Sequence, residues 1–128
     1  MIYLDTSAVL KLVFPESGSG ALVDYLPPEA THVSSSLLLV EARRGVIRRA
    51  PERLPEVDVM LARIKMVGIS DGVIESAGRL PDPMLRGLDA IHLATALLIR
   101  EDVDVLVSYD DRLTAAATAH GLNTATPV

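Results

Sequence analysis

Two aspartates stand at the same kind of place in this chain. Asp5 closes the apolar run Ile2-Tyr3-Leu4, Asp110 follows Val105-Leu106-Val107-Ser108-Tyr109, and after each acid the pattern turns helical. Two further acids sit among apolar residues: Glu41 ends Leu37-Leu38-Leu39-Val40, and Asp89 opens the run Ala90 to Ala96. Taken singly, each acid has an ordinary reading. Asp5 and Asp110 are turn formers at strand ends, Asp89 is a helix N-cap, and Glu41 pairs with a helix arginine. Taken together they have a chemistry. A buried charge costs several kcal/mol unless it is paired or bound to a cation. Four semi-buried carboxylates raise one another's pKa until a divalent ion neutralises them. Hard oxygen donors without His or Cys select Mg2+ or Mn2+, and an acidic pocket around such an ion suits the hydrolysis of phosphate esters.

The elements needed to gather these acids are legible in the periodicity. Residues 1–5 form a short buried strand, and Ser7 precedes a helix over Ala8 to Val13 that stops near Pro15. Gly18 to Leu26 makes a second helical segment, ended by Pro27-Pro28, and His32-Val33-Ser34 a short strand. A serine cap at 35 or 36 starts an amphipathic helix from Leu37 to about Arg49. Apolar positions 57, 60, 61, 64 and 67 predict a further helix that leads into a strand around Val67-Gly68-Ile69. Asp71 caps a helix to about Leu80, Leu88 to Ile99 is helical, and Val103 to Ser108 is a buried strand. A last helix runs from Asp111 to His120 and breaks at Gly121, with a weak strand at 122–126. Alternating strands and helices imply a parallel sheet covered on both faces. In such sheets ligands bind beyond the carboxyl ends of the strands, where strand order reverses. Asp5 and Asp110 both stand at strand carboxyl ends.

Composition narrows the field. The chain has 128 residues, enough for one domain with its own core and no need of a second, so residues 1–128 are read as a single unit. Hydrophobic residues are 49% and aromatics 3%, so Leu, Val, Ile and Ala must build the core. The absence of cysteine excludes disulfide frameworks and thiolate zinc sites and fits a reducing compartment, with the cytoplasm as the expected location. No apolar run approaches the roughly 20 residues that span a bilayer, and no signal peptide opens the chain, so no membrane association is expected. A net charge of −5 argues against broad electrostatic capture of nucleic acid, although local basic patches remain.

The segments MIYLDTSAVLKL, SSLLLVEARRGV, GLDAIHLATAL and VLVSYDDRL, in that order and spacing, resemble the PIN-domain family, and most closely the small VapC toxins of prokaryotic toxin-antitoxin pairs. The resemblance covers essentially the whole chain. It implies a three-layer α/β/α fold with a central, mostly parallel sheet and an Mg2+-dependent endoribonuclease activity, with Mn2+ as a substitute. It also implies RNA as substrate, inhibition by a cognate antitoxin protein, and a homodimer. By motif match Asp5, Glu41, Asp89 and Asp110 form the acidic, metal-holding quartet, and Thr6 is a hydroxyl that arranges the acids or their water. Asp111 is assigned to the first turn of the last helix, where negative charge suits the dipole.

Other residues are weighed against this centre. Arg86 and Arg112 are near enough in sequence to Asp89 and Asp110 to meet a phosphate or brace an acid. Arg43 and Arg44 share a helix with Glu41 and either grip RNA phosphates or form a solvated face. His92, one turn beyond Asp89, is read as a packing residue, because metal-assisted hydrolysis needs no imidazole. Tyr3 and Tyr109 point away from the acids by strand alternation and are read as core. Apolar surplus over Val9 to Val13 and Leu37 to Val40 is the expected dimer or antitoxin face. Two rival readings stand beside the nuclease. A metal-dependent phosphatase or receiver lacks support, since Asp5 is followed by Thr6-Ser7 rather than a second spaced aspartate, and the only lysines are Lys11 and Lys65. A non-catalytic PIN-like binding module would have no use for an intact quartet.

Overall fold

The computed structural model describes all 128 residues. Five strands, β1 (Ile2–Leu4), β2 (His32–Ser35), β3 (Lys65–Val67), β4 (Val105–Val107) and β5 (Thr124–Ala125), form one sheet in the order β3-β2-β1-β4-β5. Every pairing is parallel, so the sheet is wholly rather than mostly parallel. Seven helices surround it: α1 (Thr6–Val13), α2 (Ser19–Tyr25), α3 (Leu37–Arg49), α4 (Leu54–Leu61), α5 (Asp71–Gly78), α6 (Gly87–Leu98) and α7 (Asp111–Ala119).

Strand alternation divides the core into two layers of side chains. Ile2, Leu4 and Val107 face a cluster with Val9, Val13, Leu38, Ala42, Val46 and Val57, the buried stripes of α1, α3 and α4. Tyr3, Val33 and Leu106 face the opposite cluster with Leu93, Ala96, Leu113 and Ala117 from α6 and α7. The result is the expected α/β/α sandwich. Fully burying each such Leu or Val contributes roughly 1.5–3 kcal/mol, so both faces hold the sheet. On α3 a Cβ at Gly45 would stand 3.0 Å from Leu10 Cδ1 where α1 crosses, so the Leu10 side chain would have to yield to any larger residue there.

Several boundaries differ from the periodicity. The strand expected at 67–69 forms at Lys65–Val67, where it pairs with Val33–Ser35, and Gly68-Ile69 falls beyond it, with Ile69 exposed. Ser70, not Asp71, caps α5, its hydroxyl accepting from Val73 N at 3.2 Å. Asp89 lies in the first turn of α6 rather than at its cap, a position that Arg86 occupies. Ser36 is the N-cap residue of α3 but makes no side-chain cap bond; the Ser35 hydroxyl before it accepts from Leu37 N at 3.1 Å. Gly121, at φ +90°, ends α7 as expected. The apolar surplus is also smaller than the sequence implies. Val9 and Val13 are buried, and from the two apolar stretches Val40 remains exposed.

Position in the sheet now accounts for the opening pair of acids. β1 is central, with β2 and β3 on one side and β4 and β5 on the other. Strand order therefore reverses between β1 and β4, whose carboxyl ends carry Asp5 and Asp110.

Candidate active site

The register Leu4↔Val107 sets the end of β1 beside the end of β4. Asp5 then leaves the sheet as the N-cap of α1, with Oδ1 accepting from Ala8 N at 3.0 Å and from Ser7 Oγ at 2.6 Å. Its other oxygen accepts from Ser108 Oγ at 2.5 Å. Those hydroxyls reach onward. Ser108 Oγ accepts from Asp110 N at 3.0 Å and Ser7 Oγ from Tyr109 N at 2.8 Å. Asp5 thus holds the turn between β4 and α7 through two serines. It is only 3% exposed, and burial pushes its carboxyl above the ordinary range despite these donors.

Above it opens a cleft of about 940 Å³, lined by Glu41, Asp89, Asp110, Asp111, Arg86, Arg112 and Tyr109 among others. Asp110 caps α7, Oδ1 accepting from Arg112 N at 2.9 Å and Leu113 N at 3.2 Å, and Oδ2 has no partner in the chain. Asp89 makes no hydrogen bond. Its carboxyl is raised by partial burial and by repulsion from Asp110, Asp5 and Glu41, which His92 partly offsets. Glu41 behaves oppositely. Burial acts to raise it, but hydrogen bonds from His92 and Thr6 outweigh that and hold it below the usual carboxylate range. Thr6 Oγ1 donates to Glu41 Oε1 at 2.7 Å, and His92 Nε2 lies 2.9 Å from the same atom.

Three of the four expected acids line the cleft, and the fourth, Asp5, lies beneath it. Arg86 and Arg112 line it as well, and neither is paired with an acid. Arg43 and Arg44 do not line it; Arg43 pairs with Asp58 at 2.9 Å across to α4. Tyr109 packs partly buried against the core, as expected, and it also borders the cleft, with its hydroxyl on Pro127 O and the Lys11 ammonium over its ring. His92 is buried as expected, but it also touches Glu41, which sequence spacing does not show. The signal was present as an imidazole one helical turn from Asp89; its partner on α3 is a tertiary fact.

No three His, Asp or Glu side chains stand close enough to hold a metal ion unaided. The donor set still fits Mg2+. That ion keeps several waters and is held by one or two carboxylates in an open site. Asp89 and the free oxygens of Asp110 and Glu41 are such donors, and their mutual repulsion is what a cation relieves.

Residues 2–119 match the family model described as PIN domain. The chain belongs to the PIN-domain family. Ribonuclease VapC35 of Mycobacterium tuberculosis is 42% identical over 131 residues, spanning 99% of this chain and 97% of that protein. Among solved structures, a toxin-antitoxin complex from Klebsiella pneumoniae contains a similar chain at TM-score 0.74 and 20% identity, covering 100% of this PIN domain and 98% of that chain. The Mycobacterium tuberculosis toxin VapC20, which cleaves the sarcin-ricin loop, matches at TM-score 0.74 and 17% identity over 99% of this PIN domain and 100% of that chain. At such identity these two structures speak for the fold, and they share it across their full length.

Proposed function

We propose that this PIN domain is an Mg2+-dependent endoribonuclease, the toxin of a toxin-antitoxin pair. The observation that carries the reading is the convergence of Glu41, Asp89 and Asp110 on one cleft, with Asp5 bonded beneath them. Similarity to ribonuclease VapC35 supports RNA as the substrate. The fold shared with a toxin-antitoxin complex supports an antitoxin partner. No helix is long and apolar enough to cross a membrane.

One or two of Asp89, Asp110 and Glu41, completed by water, would hold the metal, which when bound supplies activation of water and neutralisation of charge to phosphodiester hydrolysis. The chain's own residues do the rest. Arg86 and Arg112, free of acids at the cleft, hold phosphate oxygens and set the strand against the carboxylates. Thr6 and His92 keep Glu41 ionised by occupying Oε1. Asp5, through Ser7 and Ser108, fixes the turn that presents Asp110. Val40 on α3 and Met84 and Leu88 beside the cleft are exposed apolar residues, a surface suited to the antitoxin or to a second copy of the chain.

The test is cleavage of total RNA by purified protein with and without Mg2+ or Mn2+, beside an Asp89→Asn variant. Because the Asp89 side chain makes no hydrogen bond, the variant keeps the fold. Cleavage that needs metal and vanishes in the variant is expected. Equal cleavage by both proteins would refute the assignment.

A further inference from the structure

His92 is 1% exposed and both of its ring nitrogens are engaged. Nδ1 is 2.8 Å from Tyr3 Oη, and Nε2 is 2.9 Å from Glu41 Oε1. Counting donors decides which nitrogen carries the proton. The Ser35 backbone N–H is an obligate donor, and it meets Tyr3 Oη at 3.1 Å. Tyr3, itself fully buried, has a single proton to give, and the acceptor it meets is His92 Nδ1. Nδ1 is then bare, so the proton of the neutral ring sits on Nε2 and faces Glu41. The opposite tautomer would aim the Nε2 lone pair at a carboxylate oxygen. In an imidazolium the same Nε2–H still faces Glu41, so Nε2 carries a proton toward the carboxylate in either charge state. The edge-on packing of the two rings, 5.9 Å apart at 88°, fixes the geometry.

We propose that His92, which turns an Nε2–H toward Glu41, is a positioning residue for that carboxylate. Together with Thr6 it saturates Oε1 and leaves Oε2 for the cleft. The chain of bonds runs from the β2 backbone through β1 and α6 to α3, so four elements meet at one carboxylate oxygen. The depressed pKa of Glu41 agrees with two donors on that atom. This inference rests on reading Glu41 as part of the hydrolytic site, and it assigns the hydrogen bonds that hold it there.

The experiment is a long-range 1H–15N spectrum of the His92 ring in metal-free, RNA-free protein at neutral pH. A protonated Nε2 is expected. A bare, pyridine-type Nε2 overturns the proposal. A variant pair adds a functional readout. His92→Gln places an amide N–H near the Nε2 position and is expected to cleave RNA within several-fold of the parent. His92→Ala is expected to lose roughly 10–100-fold, the range typical of groups that orient ligands. Equal losses in two folded variants would also overturn it. The spectrum needs no catalysis, so a protein with a protonated Nε2 that cuts no RNA defeats the nuclease reading alone. A protein that cuts RNA with Nε2 bare defeats this inference alone.

Discussion

Asp5 and Asp89 belong to one acidic centre, yet the fold treats them in opposite ways. Asp5 lies under the cleft with its carboxylate accepting from Ser7, Ala8 and Ser108, and through those hydroxyls it ties α1 to the turn before α7. Asp89 lines the cleft, makes no hydrogen bond and is repelled by its neighbours. Both carboxyls are raised above the ordinary range, but for different reasons: burial dominates at Asp5, and at Asp89 the neighbouring charges add to it. Aspartates that look alike in a motif therefore divide into a floor that organises the site and a rim left available to ligand. A group spent on internal hydrogen bonds supports the structure; one left unsatisfied awaits something from outside.

The strongest way to break this comparison is at the rim. Asp89→Asn is expected to lower RNA cleavage roughly 100-fold or more, the scale at which preorganised electrostatic groups matter, with no loss of stability. Cleavage kinetics and urea unfolding on one preparation check both halves. At the floor the effect should fall on folding. Asp5→Ala removes the α1 cap and takes the acceptor from two hydroxyls, buried Ser108 and half-buried Ser7, a loss of about 2–4 kcal/mol in urea unfolding. A loss no larger than that of Asp89→Asn would erase the distinction.

Acid pH sharpens the same contrast. In the folded chain the Asp89 carboxyl, facing Asp110, Asp5, Glu41 and His92, titrates above its unfolded value. As pH rises, the unfolded chain loses that proton first, so this group's contribution to stability falls between the two values and the deficit persists at neutrality. Asp89→Asn should therefore be more stable than the parent at pH 7, with the gap closing as pH drops below the ordinary carboxylate range. Urea midpoints across pH read this directly, and a gap that widens toward acid contradicts it. The smallest effect belongs to Arg112, exposed at the cleft and unpaired. Arg112→Ala is expected to raise KM several-fold, leave kcat nearly unchanged and flatten the dependence of cleavage on salt.

The strand-end acids were legible because a short apolar run that stops at Asp and turns helical has few other meanings in a parallel sheet. The gathering of Glu41 and Asp89 with them was legible through the motif match, since neither residue's local pattern says where its helix packs. The rest was not local. Period-2 alternation correctly turns Tyr3 away from Asp5, but it cannot say that α6 packs on that opposite face and sets His92 against the Tyr3 hydroxyl. Tyr109 lies two residues past the end of β4, where alternation no longer governs direction, and it borders the cleft while packing against the core. The β3 boundary shifted because pairing with β2, rather than the apolarity of Val67-Gly68-Ile69, decides where that strand lies.

Whether the rim carboxylates take up a divalent cation is read from the urea midpoint as a function of Mg2+ for the parent chain and Asp89→Asn side by side. A ligand bound only by the folded state stabilises it by mass action. The midpoint is expected to climb with Mg2+ in the parent and to stay nearly flat in the variant. The same rise in both proteins, or none in the parent, would contradict it.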